Sequence, residues 1–209
     1  MTPEFWHDLV TEKSWRILQD LRRQFSFVLI GGWAVYLYTR SLKSKDIDIV
    51  VDYDALAKVR DAYPLIKNDR LRKYEIKLGE VDVDIYVPHF SHPGLPAEFI
   101  LSSARLRESF RVPPVEELLL MKENARDQRL GSAKGEKDGF DVLGLLREGL
   151  TDWPRYLALA RRYNPESPKR LQRFLESTYE APPLNLNRHQ LNRLKGRWLA
   201  QLKAPSKGG

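Results

Sequence analysis

The sequence predicts an α/β (α+β) fold: a mixed sheet with flanking helices, followed by a C-terminal all-helical region. Three observations lead there. Short β-branched or alternating runs interleave with stretches of helical spacing through the first half. A Gly-Gly pair separates one such run from the next helix. From Pro113 onward the periodic stretches are all helical.

Element by element, residues 5–24 carry Phe5, Leu9, Trp15, Leu18 and Leu21 at helical spacing. FSFVLI (25–30) reads as a strand that Gly31-Gly32 stops, WAVYLYTR (33–40) as a helix and KDIDIVVD (45–52) as a strand. Asp54 is placed to cap a helix over 55–62. Residues 71–78 and 80–87 form a hairpin turning at Gly79-Glu80. PHFSHPGLP (88–96) is a loop by composition, and 98–112 are expected to give one or two further strands. Pro113-Pro114 open a helix to about Arg129. After a loop, LGSAKGE, a second helix covers about 137–148, and three more are expected at 152–163, 168–178 and 187–202. The tail KAPSKGG is expected to be disordered.

Composition bounds the function. The 209 residues are 42% hydrophobic, enough for a core, which argues against disorder. Cysteine is absent, which excludes disulfides and thiol chemistry. No apolar run approaches the ~20 residues of a membrane helix, and Glu4, His7 and Asp8 stand where a signal core would be. A cytoplasmic protein without membrane association is expected. The net charge is +7, but residues 150–209 hold twelve Lys and Arg against four Asp and Glu, whereas the rest is nearly neutral. The expected division is therefore a catalytic domain over 1–149 and a basic helical region over 150–209. Such a basic block attracts phosphate backbones, acidic proteins or membrane surfaces, or is simply a solvated helical face.

Acidic residues are clustered where the chemistry is expected. Period 2 puts Asp46 and Asp48 on one face of their strand and both isoleucines on the other. Asp82 and Asp84 repeat the arrangement in the hairpin. If the strands are neighbours, the carboxylates share a surface and repel unless a cation lies between them. All-oxygen ligands suit Mg²⁺ or Mn²⁺. Gly31-Gly32 ends a strand and opens a helix, so backbone N–H groups face outward as a phosphate cradle, and Ser44 adds a hydroxyl. A phosphate site beside a divalent-metal site equips a chain for phosphoryl or nucleotidyl transfer.

Gly31-Gly32, Ser44-x-Asp46-x-Asp48 and the later Asp84 together resemble the signature of DNA polymerase β-like nucleotidyltransferases. The likeness spans about residues 26–148 and is nearest to the minimal abortive-infection (type IV) toxins of toxin–antitoxin systems. One departure is Leu42, where many relatives carry arginine; Arg40 and Lys43 are the nearby cations. The resemblance implies a nucleotidyltransferase-like sheet and a metal-dependent transfer of NMP from an NTP to an acceptor hydroxyl. Asp46, Asp48 and Asp84 would hold metal, with Asp84 preferred to Asp82. Gly31, Gly32 and Ser44 would hold phosphates.

Two later helices place charges on apolar faces. Val115, Leu118, Leu119, Lys122, Ala125 and Arg126 are co-facial, so Lys122 needs a carboxylate or a bound phosphate. Asp138, Val142 and Leu145 share a face, with Asp141 at its edge. These charges satisfy each other as a salt bridge, or they work on substrate. The toxin resemblance implies the latter: Lys122 contacts nucleotide phosphates, and Asp138 or Asp141 supports or shares catalysis. His89 and His92 flank a loop without a third histidine nearby. Trp153, Tyr156, Tyr163, Phe174 and Trp198 either stack on bases or form core. The acceptor expected from the basic block is RNA, such as tRNA, with an antitoxin as a possible protein partner. A small-molecule or protein acceptor, or a catalytically silent binding module, are the alternatives.

Overall fold

The computed structural model describes residues 8–203. The expected helical start at Phe5 and the tail after Lys203 lie outside the described residues. The chain order is α1 (Asp8–Gln24), β1 (Val28–Ile30), α2 (Gly31–Thr39), β2 (Ile47–Val50), α3 (Tyr53–Ala62), β3 (Ile66–Asn68), β4 (Lys73–Leu78) and β5 (Val81–Tyr86). Then come α4 (Ala97–Ser103), β6 (Arg105–Arg107), β7 (Phe110–Val112), α5 (Val115–Gln128), α6 (Ala133–Arg147), α7 (Trp153–Tyr163), α8 (Ser167–Ser177), a 3₁₀ turn (Pro182–Leu184) and α9 (Arg188–Lys203). The seven strands form one mixed sheet in the order β3-β4-β5-β2-β1-β7-β6. The expected architecture of mixed sheet, flanking helices and C-terminal helices is observed.

β2 is the centre of the sheet. It runs antiparallel to β1 and parallel to β5, and Ile47, Ile49 and Val50 are buried. A parallel pair needs a crossover, which α3, β3 and β4 supply. The hairpin turns at Gly79, whose φ of +68° is the left-handed region that glycine occupies without strain. α2 is buried nearly all round, as a helix with apolar residues on every side must be.

Four local expectations are corrected. Asp52, not Asp54, caps α3: its side chain accepts from the Ala55 N–H at 2.7 Å, while Asp54 lies inside the first turn. Residues 97–103 form a helix that was not expected, and the two strands expected within 98–112 are the short ones at 105–107 and 110–112. α6 begins four residues early, because Ser132 accepts from the Gly135 N–H and caps it there. On α1 the buried face is Thr11, Ser14, Leu18 and Leu21, leaving Leu9 exposed. Ser14 is inside because its hydroxyl accepts from the Trp33 indole N–H at 2.9 Å. The short strand β3 and the 3₁₀ turn were not foreseen.

The C-terminal helices are held to α5 by carboxylates. Glu116 accepts from the Asp152 N–H and Glu117 pairs with Arg155 at 2.6 Å. Glu123 accepts from the Tyr156 hydroxyl at 3.0 Å and from Ser167, and Asp127 pairs with Arg170 at 2.6 Å. Two C-terminal arginines are thus engaged inside the structure. Tyr156 and Trp198 are buried, and Trp153, Tyr163 and Phe174 are half-buried, which favours core over base stacking.

Burial raises the Glu123 carboxyl to about 8, against the hydrogen bonds of Ser167 and Tyr156, which lower it. An unfolded glutamate titrates near 4.3. The folded chain therefore keeps a proton that the unfolded chain loses, so this contribution is full below about pH 4 and is lost as pH rises to about 8. Thermal melts should show wild type losing stability from pH 5 to 8 by more than Glu123→Gln does. The difference should be on the order of a few kcal/mol. Parallel pH profiles for the two proteins would refute it.

Candidate active site

The acid pair arises from register. In the parallel β2/β5 ladder Asp48 lies opposite Asp84, and both side chains project from the same face into a cleft of about 600 Å³. Asp46, at the mouth of β2, also lines the cleft. Asp82 does not: it sits opposite Lys77, which holds it at 2.9 Å. Period 2 thus brings together Asp46, Asp48 and Asp84.

The glycine turn closes against these acids. Gly31 has φ +65°, and a Cβ there would overlap the Asp48 carboxylate. A Cβ at Gly32 would lie 2.7 Å from Ser44 Oγ and 3.2 Å from Lys137 Nζ. Both glycines are required by close approach, and Gly31 also by its backbone. Their absent side chains leave the start of α2 beside Asp48, Ser44 and Lys137. Ser44 donates its hydroxyl to the Asp46 carbonyl at 2.9 Å and lines the cleft. Ile30 offers no side-chain cap to α2.

Cations ring this floor. Lys73 Nζ lies 2.5 Å from Asp84 and 3.2 Å from Glu75; Lys134 Nζ lies 3.0 Å from Asp46. Arg129 and Lys137 reach the cleft from α5's end and α6, and Arg70 and Arg72 stand on its other rim. Neither Arg40 nor Lys43 lines it. Arg40 turns to Glu108 and Lys43 to Asp8, so lysines of α6 stand near Ser44 instead. His92 is at the rim, and His89 points toward Glu98.

Lys122 resolves toward carboxylates: it lies 2.9 Å from Asp138 and 2.7 Å from Asp141, buried between α5 and α6. Burial lowers its pKa, but the two acids outweigh this and raise it above the usual lysine value. Asp141, which does not line the cleft, also holds Lys137 at 3.3 Å. Asp138 faces the cleft and is shared with Arg129 at 3.4 Å. Burial lowers Lys137, partly offset by Asp141.

The acid pair is electrostatically frustrated. Burial, first, and then the Asp48 charge raise Asp84 to about 6, against the pull of Lys73. Burial and Asp46 raise Asp48, against Lys122. Burial and the two aspartates push the nearby Tyr86 hydroxyl well above its usual value.

Two half-buried carboxylates that oppose each other's ionisation are a donor set suited to an oxygen-preferring divalent cation. As the side chains stand, no group of three His, Asp or Glu among the described residues is placed to hold a metal ion. Lys134 pairs instead with Asp46, and Lys73 with Asp84. The residue types are those an oxygen-preferring divalent cation would take, with lysines paired to two of the acids.

Sequence reasoning missed Lys73 and Lys134. Lys73 had a signal: Lys73, Glu75 and Lys77 alternate on the strand beside Asp82 and Asp84. Lys134 had none, because its segment reads as a loop until Ser132 is seen to cap it.

No family model and no curated protein matches the sequence. Solved structures do resemble it. JHP933 from Helicobacter pylori superposes with a TM-score of 0.51 at 18% identity, covering 94% of each chain. A protein from the same species, provisionally named a nucleotidyltransferase, gives 0.51 at 20% identity, covering 94% of this chain and 98% of that one. The likeness is one of fold. Among the described residues no helix is long and apolar enough to cross a membrane.

Gly31→Ala should lower the melting temperature, with a cost of about 1–3 kcal/mol from left-handed strain and the Asp48 overlap. An unchanged melt would contradict the close approach. Lys122→Ala leaves Asp138 to Arg129 and Asp141 to Lys137, each at longer range, and should cost about 3 kcal/mol, the low end for breaking a buried pair, read by chemical denaturation. In carboxyl-resolved NMR, Asp84 should titrate near pH 6, and Lys73→Met should shift it upward because Lys73 lowers it. A downward shift would refute the assignment.

Proposed function

We propose that this chain is a metal-dependent nucleotidyltransferase that moves an NMP from an NTP to an acceptor hydroxyl. The carrying observation is the β2/β5 register, which sets Asp48 against Asp84 beside the glycine turn of α2. Fold likeness to a protein named as a nucleotidyltransferase supports the same reading.

Mg²⁺ or Mn²⁺, held by Asp46, Asp48 and Asp84, would supply charge neutralisation at the phosphates and at the attacking oxygen. The chain's residues do the rest. Gly31 and Gly32 offer N–H donors to the β and γ phosphates, and the Ser44 hydroxyl turns from the Asp46 carbonyl to join them. Lys137 lies beside Gly32, within reach of the same phosphates. Lys122, fixed by Asp138 and Asp141, contributes positive charge behind Asp48 and supports the α phosphate. Asp84 takes the proton of the acceptor hydroxyl, whose oxygen bonds to the α phosphorus as the bond to the β-phosphate oxygen breaks and pyrophosphate leaves. Asp141 acts by positioning Lys122 and Lys137.

The acceptor we infer is RNA such as tRNA. Support comes from the basic C-terminal helices, where Arg162, Arg173, Arg188, Arg193 and Arg197 are exposed. A chain of this kind fits the toxin of a toxin–antitoxin pair, its antitoxin covering the cleft. A second reading, transfer to a small molecule or protein, is favoured by one observation: no described residue beyond Asp138 lines the cleft.

Incubation with each labelled NTP, Mg²⁺ or Mn²⁺, and total RNA or protein separates these. A labelled RNA band that vanishes in Asp48→Ala is expected. Label in protein alone would favour the second reading, and no label with any acceptor would overturn transfer.

A further inference from the structure

The four lysines around the acid pair divide by what they hold. Lys122 and Lys137 are buried and pinned by Asp138 and Asp141, carboxylates of α6 that stand apart from the sheet. Lys73 and Lys134 hold the sheet acids themselves, at 2.5 Å from Asp84 and 3.0 Å from Asp46. An ammonium and a divalent cation cannot share one carboxylate at these distances without strong repulsion. Each lysine holds one oxygen of its acid, so metal loading these acids meets an ammonium charge beside it until the lysines move.

We propose that Lys73 and Lys134 are exchangeable counter-ions. They hold Asp84 and Asp46 until a nucleoside triphosphate offers them a second anion, so nucleotide and divalent cation bind cooperatively. The inference rests on the nucleotidyltransferase reading and adds to it the order in which the site fills.

Both lysines are built to move. Each is a charged head on a flexible four-carbon stem. Lys134 is rooted in the first turn of α6 and its side chain is 53% exposed, so its pair with Asp46 contributes little and exchanges readily. Lys73 is more enclosed, at 12%. Its departure still leaves Glu75 satisfied, because Asn68 donates to Glu75 at 2.9 Å and Lys77 stands 3.7 Å away. Lys122 is the opposite case: leaving would take the nearest cation from two buried acids at once.

A bare cation entering the acids would take Asp46 from Lys134 and leave Lys73 with Glu75 alone, both ammonium groups still beside it. A triphosphate bound along the glycine turn receives them, since both line the same cleft as Gly32 and Ser44. The lysines then neutralise phosphate oxygens and the cation takes the carboxylates. Because the coupling is a free energy between two sites, each ligand must tighten the other by the same factor.

The test is calorimetric titration with Mn²⁺, with and without a non-hydrolysable NTP analogue, on wild type, Lys134→Gln, Lys73→Gln and Lys77→Gln. Lys77 holds Asp82 outside the cleft and serves as the control. Wild type should bind Mn²⁺ about tenfold tighter with the analogue, a typical coupling. Lys134→Gln should bind Mn²⁺ alone about tenfold tighter than wild type does and lose most of the coupling, whereas Lys77→Gln should match wild type. Should Lys73→Gln fail to fold, Lys134→Gln decides alone, since its side chain is on the surface. Coupling in wild type that Lys134→Gln leaves unchanged would overturn the exchange while leaving the nucleotidyltransferase reading intact. A wild type that binds no analogue under any condition would overturn both.

Discussion

Two carboxylates placed side by side in the middle of a sheet repel each other, and the rest of this site is arranged around that repulsion. Asp48 and Asp84 face the same cleft because β2 and β5 run parallel in register. Burial removes the water that would screen them, so both resist ionisation. Lys122, Arg129 and Lys73 lessen that penalty. Lys73 touches Asp84 directly, Lys134 holds neighbouring Asp46, and Lys122 acts on Asp48 from behind.

The same constraint explains the charges inside the helical layer. Lys122 is buried without a water shell, which alone would be costly. Asp138 and Asp141 offset that burial, and Asp141 also holds Lys137 next to Gly32. The α5/α6 pair is therefore a rigid support for positive charge behind the acidic floor. The salt-bridge reading and the functional one need not compete: the carboxylates fix where the lysines stand, and the lysines set the potential in the cleft. On its far side α5 uses four more acidic side chains, Glu116, Glu117, Glu123 and Asp127, to hold α7 and α8. One helix thus connects the cleft to the basic C-terminal helices.

Most elements were legible because their signals are local. Alternation marked β2 and β5, glycine marked both turns, and proline marked the start of α5. Where reading failed, the deciding contact was short-ranged but ambiguous, as with Asp52 rather than Asp54 capping α3, or distant, as with Trp33 giving Ser14 a reason to be buried. The helix at 97–103 lies in a stretch whose apolar spacing suits either form, and packing chose between them.

For the candidate site, the chain by itself marked most of the residues that the fold brings together. The Gly-Gly turn, the two Asp-x-Asp strands and the misplaced Lys122 are all written in residue type and period. Tertiary structure decided how they are paired. It chose Asp84 over Asp82, turned Lys122 toward Asp138 and Asp141, and brought Lys73 and Lys134 onto the sheet acids. The physical reason is that periodicity assigns a side chain to a face, whereas the partner across that face depends on strand register and helix packing. Asp46 and Lys134 lie 88 residues apart, and no local pattern links them.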